Sequence, residues 1–307
     1  MREYDVIIIG AGTAGLTAAI YARRANKRVL VLEGEAFGGQ IVFSPKVENY
    51  PGILQISGAQ FADKLVEQAL ALGAQVEFER VLGLTRAVDS WCVQGEYAEY
   101  CGVSVIIATG LKHRKLGVAR EHDIEGVSYC ALCDGLFYKA QPVCVVGGGD
   151  TALEEALHLA GLCERVYVVH RRESFRAQAY LQEALARCEN VTVVMSATVE
   201  VLVGEAQLEA VRIRYTQEDR GEDLRVSGLF VAVGQAPQNE LFRGIVALDE
   251  QGNILAGEDC VTTAPGVFAS GDCRTKQVRQ LATAAADGAV AAVAACRWVD
   301  QARQGGM

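Results

Sequence analysis

A chain of 307 residues is long enough for about two domains at the usual ~100–200 residues each, and 50% hydrophobic with 22% charged residues is an ordinary soluble globular profile. A net charge of −9 with no Lys/Arg run argues against a nucleic-acid surface, and no apolar run reaches the roughly 18 residues needed to span a bilayer. A strand is expected from Tyr4 onward, which leaves no room for a signal peptide and predicts a cytoplasmic protein.

Asp5-Val6-Ile7-Ile8-Ile9 reads as a strand buried on both faces of a parallel sheet. It runs into Gly10-Ala11-Gly12-Thr13-Ala14-Gly15 and then a helical stretch over 16–24, a G-x-G-x-x-G in strand–turn–helix context. In that setting Gly10 makes the turn, Gly12 admits a pyrophosphate to the backbone, and Gly15 lets helix and strand pack closely. The helix start offers amide donors and a partial positive charge to the phosphates. The next strand, 28–32, ends at Glu33, where an acid can hydrogen-bond a ribose hydroxyl. The plainer alternative is a glycine turn with no ligand.

Gly38-Gly39-Gln40 and the 47–52 stretch are turn-forming, and on their own could be surface loops. A helix is expected over 58–72, ended by Gly73, then short alternating strands to about residue 100 and a buried strand at 103–108 leaving at Thr109-Gly110. Residues 111–129 read as an interdomain crossing. Cys130-Ala131-Leu132-Cys133-Asp134 follows: two thiols that can close a small ring, beside an acid able to move a proton. A CxxC is also half of a zinc site, although no second CxxC or CxxH is present. The other eight cysteines show no pairing pattern and read as small core hydrophobes in a reducing compartment.

The opening pattern then repeats. A buried strand at 143–146 leads into Gly147-Gly148-Gly149-Asp150-Thr151-Ala152, the G-x-G-x-x-A variant, and a helix over 153–162 with Glu154 and Glu155 in its first turns. From Gly10 to Glu33 is 23 residues, and from Gly147 to His170 is also 23. Where the first unit has an acid, the second has His170-Arg171-Arg172, with Arg176 one helical turn on. An acid there repels a 2′-phosphate and guanidinium groups pair with it, so the first site suits a free ribose and the second NADPH. The alternative is a solvated arginine cluster. Strands are expected over 190–227 and 229–233. A short strand then ends at Asp272, followed by Arg279-Gln280 and a helix over 282–295. Asp272 reads either as a helix cap or as a partner for a polyol chain.

In family order, GAGTAG, GGQ, VENYPG, CALCDG, GGGDTALEEA, HRRESFRA, GVFASGDC and RQLATAAADGA make the whole chain resemble the low-molecular-weight thioredoxin reductases. The resemblance implies an α/β fold of two Rossmann-like dinucleotide-binding domains, the second inserted into the first: 1–111 and 236–307 for FAD, 112–235 for NADPH and the CxxC. It implies FAD bound by Gly10, Gly12, Gly15, Glu33, Gly39, Gln40, Asn49, Asp272, Gln280 and Leu281. It implies NADPH bound by Gly147, Gly149, Asp150, Thr151, Arg171, Arg172 and Arg176. By the same resemblance Cys133 lies nearer the flavin, Cys130 attacks thioredoxin, Asp134 is the general acid, the inserted domain rotates between half-reactions, and the protein is a homodimer. The sequence departs from its relatives at Leu136, where a docking Phe is common, at Glu125, near a position that is basic in a well-studied relative, and at Leu132 within the CxxC. These departures bear on the partner, so a dithiol oxidase or a reductase of a peroxiredoxin- or glutaredoxin-like protein is the alternative.

Overall fold

In the computed structural model, which describes residues 2–44 and 46–305, the first apolar run forms β1 (Arg2–Ile9). Val6 and Ile8 enter one core and Ile7 and Ile9 another, so both faces of the strand are buried. Then come α1 (Thr13–Arg24), β2 (Val29–Glu33), α2 (Gly58–Ala71), β3 (Gln75–Phe78), β4 (Val81–Arg86), β5 (Trp91–Gly95) and β6 (Glu99–Ile107). Ser57 caps α2 by accepting the Gln60 N–H at 3.2 Å. The strands order as β3-β2-β1-β6, all parallel, and β5 and β4 extend the sheet antiparallel.

The chain crosses at β7 (Leu111–His113) and continues through β8 (Val127–Ser128), α3 (Ala131–Asp134), β9 (Pro142–Gly147), α4 (Asp150–Ala160), β10 (Arg165–Val169), α5 (Ala179–Ala186) and β11 (Val191–Val194). β12 (Ala197–Val203), β13 (Ala210–Tyr215) and β14 (Gly221–Arg225) form an antiparallel ribbon, after which β15 (Gly228–Ala232) completes a parallel sheet ordered β11-β10-β9-β15-β8. β16 (Gln235–Pro237) pairs with β7, β17 (Val267–Ala269) joins β6, and α6 (Leu281–Gly305) packs on α1. The fold is α/β with two Rossmann-like parallel sheets. One compact unit runs up to Lys112 and resumes at Ala236; the other is His113–Gln235. No helix of the described residues is long and apolar enough to cross a membrane.

Four local expectations are corrected. Cys92 and Cys101 are not core hydrophobes but a disulfide, because β5 and β6 set them directly opposite each other, a pairing that only strand register reveals. Arg176 does not lie one helical turn beyond Arg172, since residues 171–178 are irregular and pinned by Asp150, which accepts from Gln178 N at 2.8 Å and Gln178 Nε2 at 3.1 Å. α4 begins at Asp150, which puts Glu154 and Glu155 beyond its first turn. α6 runs past Ala295 to Gly305.

Candidate functional site

The first glycine loop leaves β1 through Gly10, whose φ of +108° a side chain rarely adopts; a Cβ there would stand 2.4 Å from Ala108 O. A Cβ on Gly15 would meet Gly10 O at 1.9 Å, so the start of α1 sits against the loop backbone. Gly12 is the N-cap of α1. At the end of β2, Glu33 accepts Ala11 N–H at 2.8 Å with Oε2, and Glu35 N–H at 2.8 Å and Ala36 N–H at 3.3 Å with Oε1. A carboxylate offers about four lone-pair directions, so three bonds fix its position and leave capacity for a ribose hydroxyl.

In the same unit Gly39 and Gln40 open a 3-10 turn, and Asn49 Nδ2 donates to Gln280 Oε1 at 3.1 Å, just ahead of Leu281 at the start of α6. The turn after β17 carries Asp272, whose Oδ1 is buried without a partner; burial pushes its carboxyl up, with Lys276 and Arg279 opposing. That turn is anchored from α6. Asp287 accepts Gly271 N–H at 3.0 Å, takes a bidentate pair from the fully buried Arg274 at 2.8 Å on each oxygen, and pairs with Lys276 at 2.9 Å. Burial opposes ionisation of Asp287, but the bonds from Arg274 and Lys276 outweigh it and hold the carboxyl below its ordinary value. An unpaired carboxylate oxygen, a second unpaired group at Arg279 Nε, and a glycine cradle at a helix start are what a flavin dinucleotide's ribityl, ribose and phosphate groups need.

The second loop repeats this construction. A Cβ on Gly147 would lie 2.4 Å from Ala232 O, whereas Gly149, the N-cap of α4, faces open space. His170 is buried under Gly148, its Nε2 donating to Ser174 O at 3.1 Å, and burial lowers its pKa. Thr151, Arg171, Arg172 and Arg176 are exposed, and the arginines have no acidic partner among the described residues. Arg176 N–H bonds Gly148 O at 2.8 Å, which ties the basic segment to the loop. Free guanidinium groups beside an open helix N-terminus fit a pyridine dinucleotide carrying a 2′-phosphate.

Cys130 and Cys133 form a disulfide. With the two sulfurs bonded to each other, neither is a thiolate for zinc. Cys130 is the N-cap of α3, and its Sγ accepts Cys133 N–H at 3.2 Å. Asp134 Oδ2 accepts from Ser128 Oγ at 2.7 Å, while Oδ1 is buried without a partner; burial raises the carboxyl's pKa and the Ser128 bond opposes it. Ahead of the pair, Tyr129 donates to Glu121 at 2.7 Å, and the same buried carboxylate accepts Leu116 and Gly117 N–H groups, both at 2.9 Å. The sequence gives no signal for Glu121 or Asp287, because what each carboxylate holds is decided by how the chain folds back on it and residue type alone does not show that.

The chain matches the pyridine nucleotide-disulphide oxidoreductase family over residues 4–289. A thioredoxin reductase of Treponema pallidum is 40% identical over 301 residues, 97% of this chain and 98% of that protein. The crystal structure of thioredoxin reductase from Streptococcus pyogenes has a TM-score of 0.93 at 38% identity, covering 97% of this chain and 99% of that one. Thioredoxin reductase from Giardia duodenalis has a TM-score of 0.92 at 33% identity, covering 98% and 100%. Likeness in sequence and in backbone extends over nearly the whole length, and the chain belongs to the pyridine nucleotide-disulphide oxidoreductase family.

Proposed function

We propose that the protein carries electrons from NADPH through FAD and the Cys130–Cys133 disulfide to the disulfide of thioredoxin. The observation that carries this reading is the closed cysteine pair flanked by Asp134, an acid with one oxygen buried and unpaired. The family implies a flavin and a pyridine nucleotide, which when bound supply hydride transfer and two electrons for the disulfide. The Gly10 loop, Glu33 and the Asp272 turn hold FAD; the Gly147 loop with Arg171, Arg172 and Arg176 holds NADPH.

Once the pair is open, Cys130 attacks as a thiolate, forms a mixed disulfide with the partner and expels the partner's second sulfur. Cys133 then attacks Cys130, closing the ring and releasing reduced partner. Asp134, disposed by burial to keep a proton, protonates a leaving sulfur. An apolar groove bearing the exposed side chains of Tyr21, Val261, Val290 and Val293 supports a homodimer. Free thiols such as Cys144, Cys163 and Cys273 support a cytoplasmic site, and the Cys92–Cys101 disulfide is the feature that counts against it.

The test is anaerobic NADPH oxidation with thioredoxin, beside a Cys130→Ser variant. Thioredoxin-dependent oxidation that the variant abolishes is expected. Flavin reduction by NADPH with thioredoxin ignored would sink the partner. Leu132 and Leu136, both exposed, would then be the first positions to change.

A further inference from the structure

Beneath the redox turn lies a second carboxyl that the reading above does not use. Glu155 projects from α4, the helix packed against α3; its Oε1 accepts the Ala131 N–H at 3.4 Å, and its Oε2 is buried without a partner. Ala131 stands between the two cysteines and is fully buried, so this carboxyl touches the backbone of the turn that closes the disulfide. Asp134, in the same turn, carries another unpaired oxygen, so two incompletely bonded carboxyls adjoin the turn that holds the sulfur pair.

A buried carboxylate with a missing hydrogen bond is costly, and protonation removes the cost. Burial, the largest influence, pushes Glu155 up to about 7; the Ala131 N–H works against the rise and Glu154 adds to it. Among the described residues no cation is paired with it. Its own helix carries Glu154 and, a turn on, His158. The redox turn carries Asp134 and the cysteines, and the 3-10 turn after it Tyr138. Beneath α4 the sheet contributes Val143, Val145, Val166, Val168 and Phe230, and α5 contributes Leu181 and Leu185. On α5, Glu183 is exposed and paired with Arg187 at 3.8 Å.

We propose that Glu155 is a positioning residue of the redox turn that takes up a proton when the Cys130–Cys133 bond is reduced. The proposal rests on that pair being the redox couple. Two electrons entering the S–S bond break it and leave two sulfur anions; one gains a proton and becomes a thiol, and the other stays a thiolate. The new anion disfavours a carboxylate under the same turn, so an ionised Glu155 gains a proton from solvent. Reduction then consumes two electrons and two protons rather than one, and reoxidation returns both. The attacking thiolate is thereby formed above a neutral acid.

The experiment is a redox titration of the holoenzyme in dithiothreitol buffers from about pH 6 to about pH 9, with thiols trapped by alkylation and read by mass at Cys130 and Cys133. Just above pH 7 the wild-type midpoint potential should fall about twice as steeply with pH as that of Glu155→Gln, which keeps an acceptor for Ala131 but cannot titrate. Equal slopes overturn the proposal. So does a shift confined to Glu155→Ala with Glu155→Gln tracking wild type, because Glu155 would then only hold the backbone. A pair that never opens overturns both the proposal and the redox reading beneath it.

Discussion

Asp287→Asn tests whether the turn bearing Asp272 is held by charge. The carboxylate closes four bonds at once: two to Arg274, one to Lys276 and one to Gly271 N–H. An amide supplies one acceptor oxygen and turns its N–H₂ toward a donor, leaving Arg274 and Lys276 facing each other with their side chains buried. Removing one partner of a buried ion pair costs about 3–5 kcal/mol, because the remaining charge cannot return to water. Glu258, 3.6 Å from Arg274 but exposed, cannot replace it; Glu258→Gln is the control and should cost under about 1 kcal/mol. Urea unfolding followed by tryptophan fluorescence reads this unit, since Trp91 and Trp298 both belong to it. The pH dependence has a definite sign. Asp287 is held below its ordinary value, so its contribution is present above the unfolded carboxyl pKa, about 3.9, and is lost as pH falls through the folded value. A variant within about 0.5 kcal/mol of wild type at neutral pH would refute the account.

Two further outcomes follow from local geometry. Cys92→Ser with Cys101→Ser removes a cross-link closing a separation of 9 residues, and the chain-entropy estimate is a loss of about 2–3 kcal/mol by the same fluorescence transition. Added reductant should lower the wild-type midpoint and leave the double variant unmoved; equal midpoints for the two proteins without reductant would count against the staple. Gly15→Ala forces a methyl to 1.9 Å from Gly10 O, so backbone must move, and the purified protein should lose bound flavin by absorbance ratio. Full flavin content in that variant would show that the first loop tolerates the shift and does not cradle the cofactor as argued.

What was legible in the sequence was whatever contiguous residues encode. The two strand–loop–helix units announce themselves because an apolar run, a glycine loop and a helix must follow one another directly, and both parallel sheets formed around them. The Cys92–Cys101 bond was hidden because it depends on the register of two strands. Glu155, Glu121 and Asp287 were hidden for a related reason: their significance lies in which backbone N–H or guanidinium the fold delivers to them. Arg176 departs from helix spacing because Asp150 pins an irregular segment there, a long-range contact that local spacing does not encode.

The first unit is discontinuous, and this has a consequence in time. β17 joins the sheet begun by β1 and α6 packs on α1, yet both leave the ribosome only after His113–Gln235 has been made. Domains usually fold in the order in which they are synthesised. Here the nested segment can reach its native state while the earlier strands still wait for the end of the chain, so the unit begun first is the one completed last.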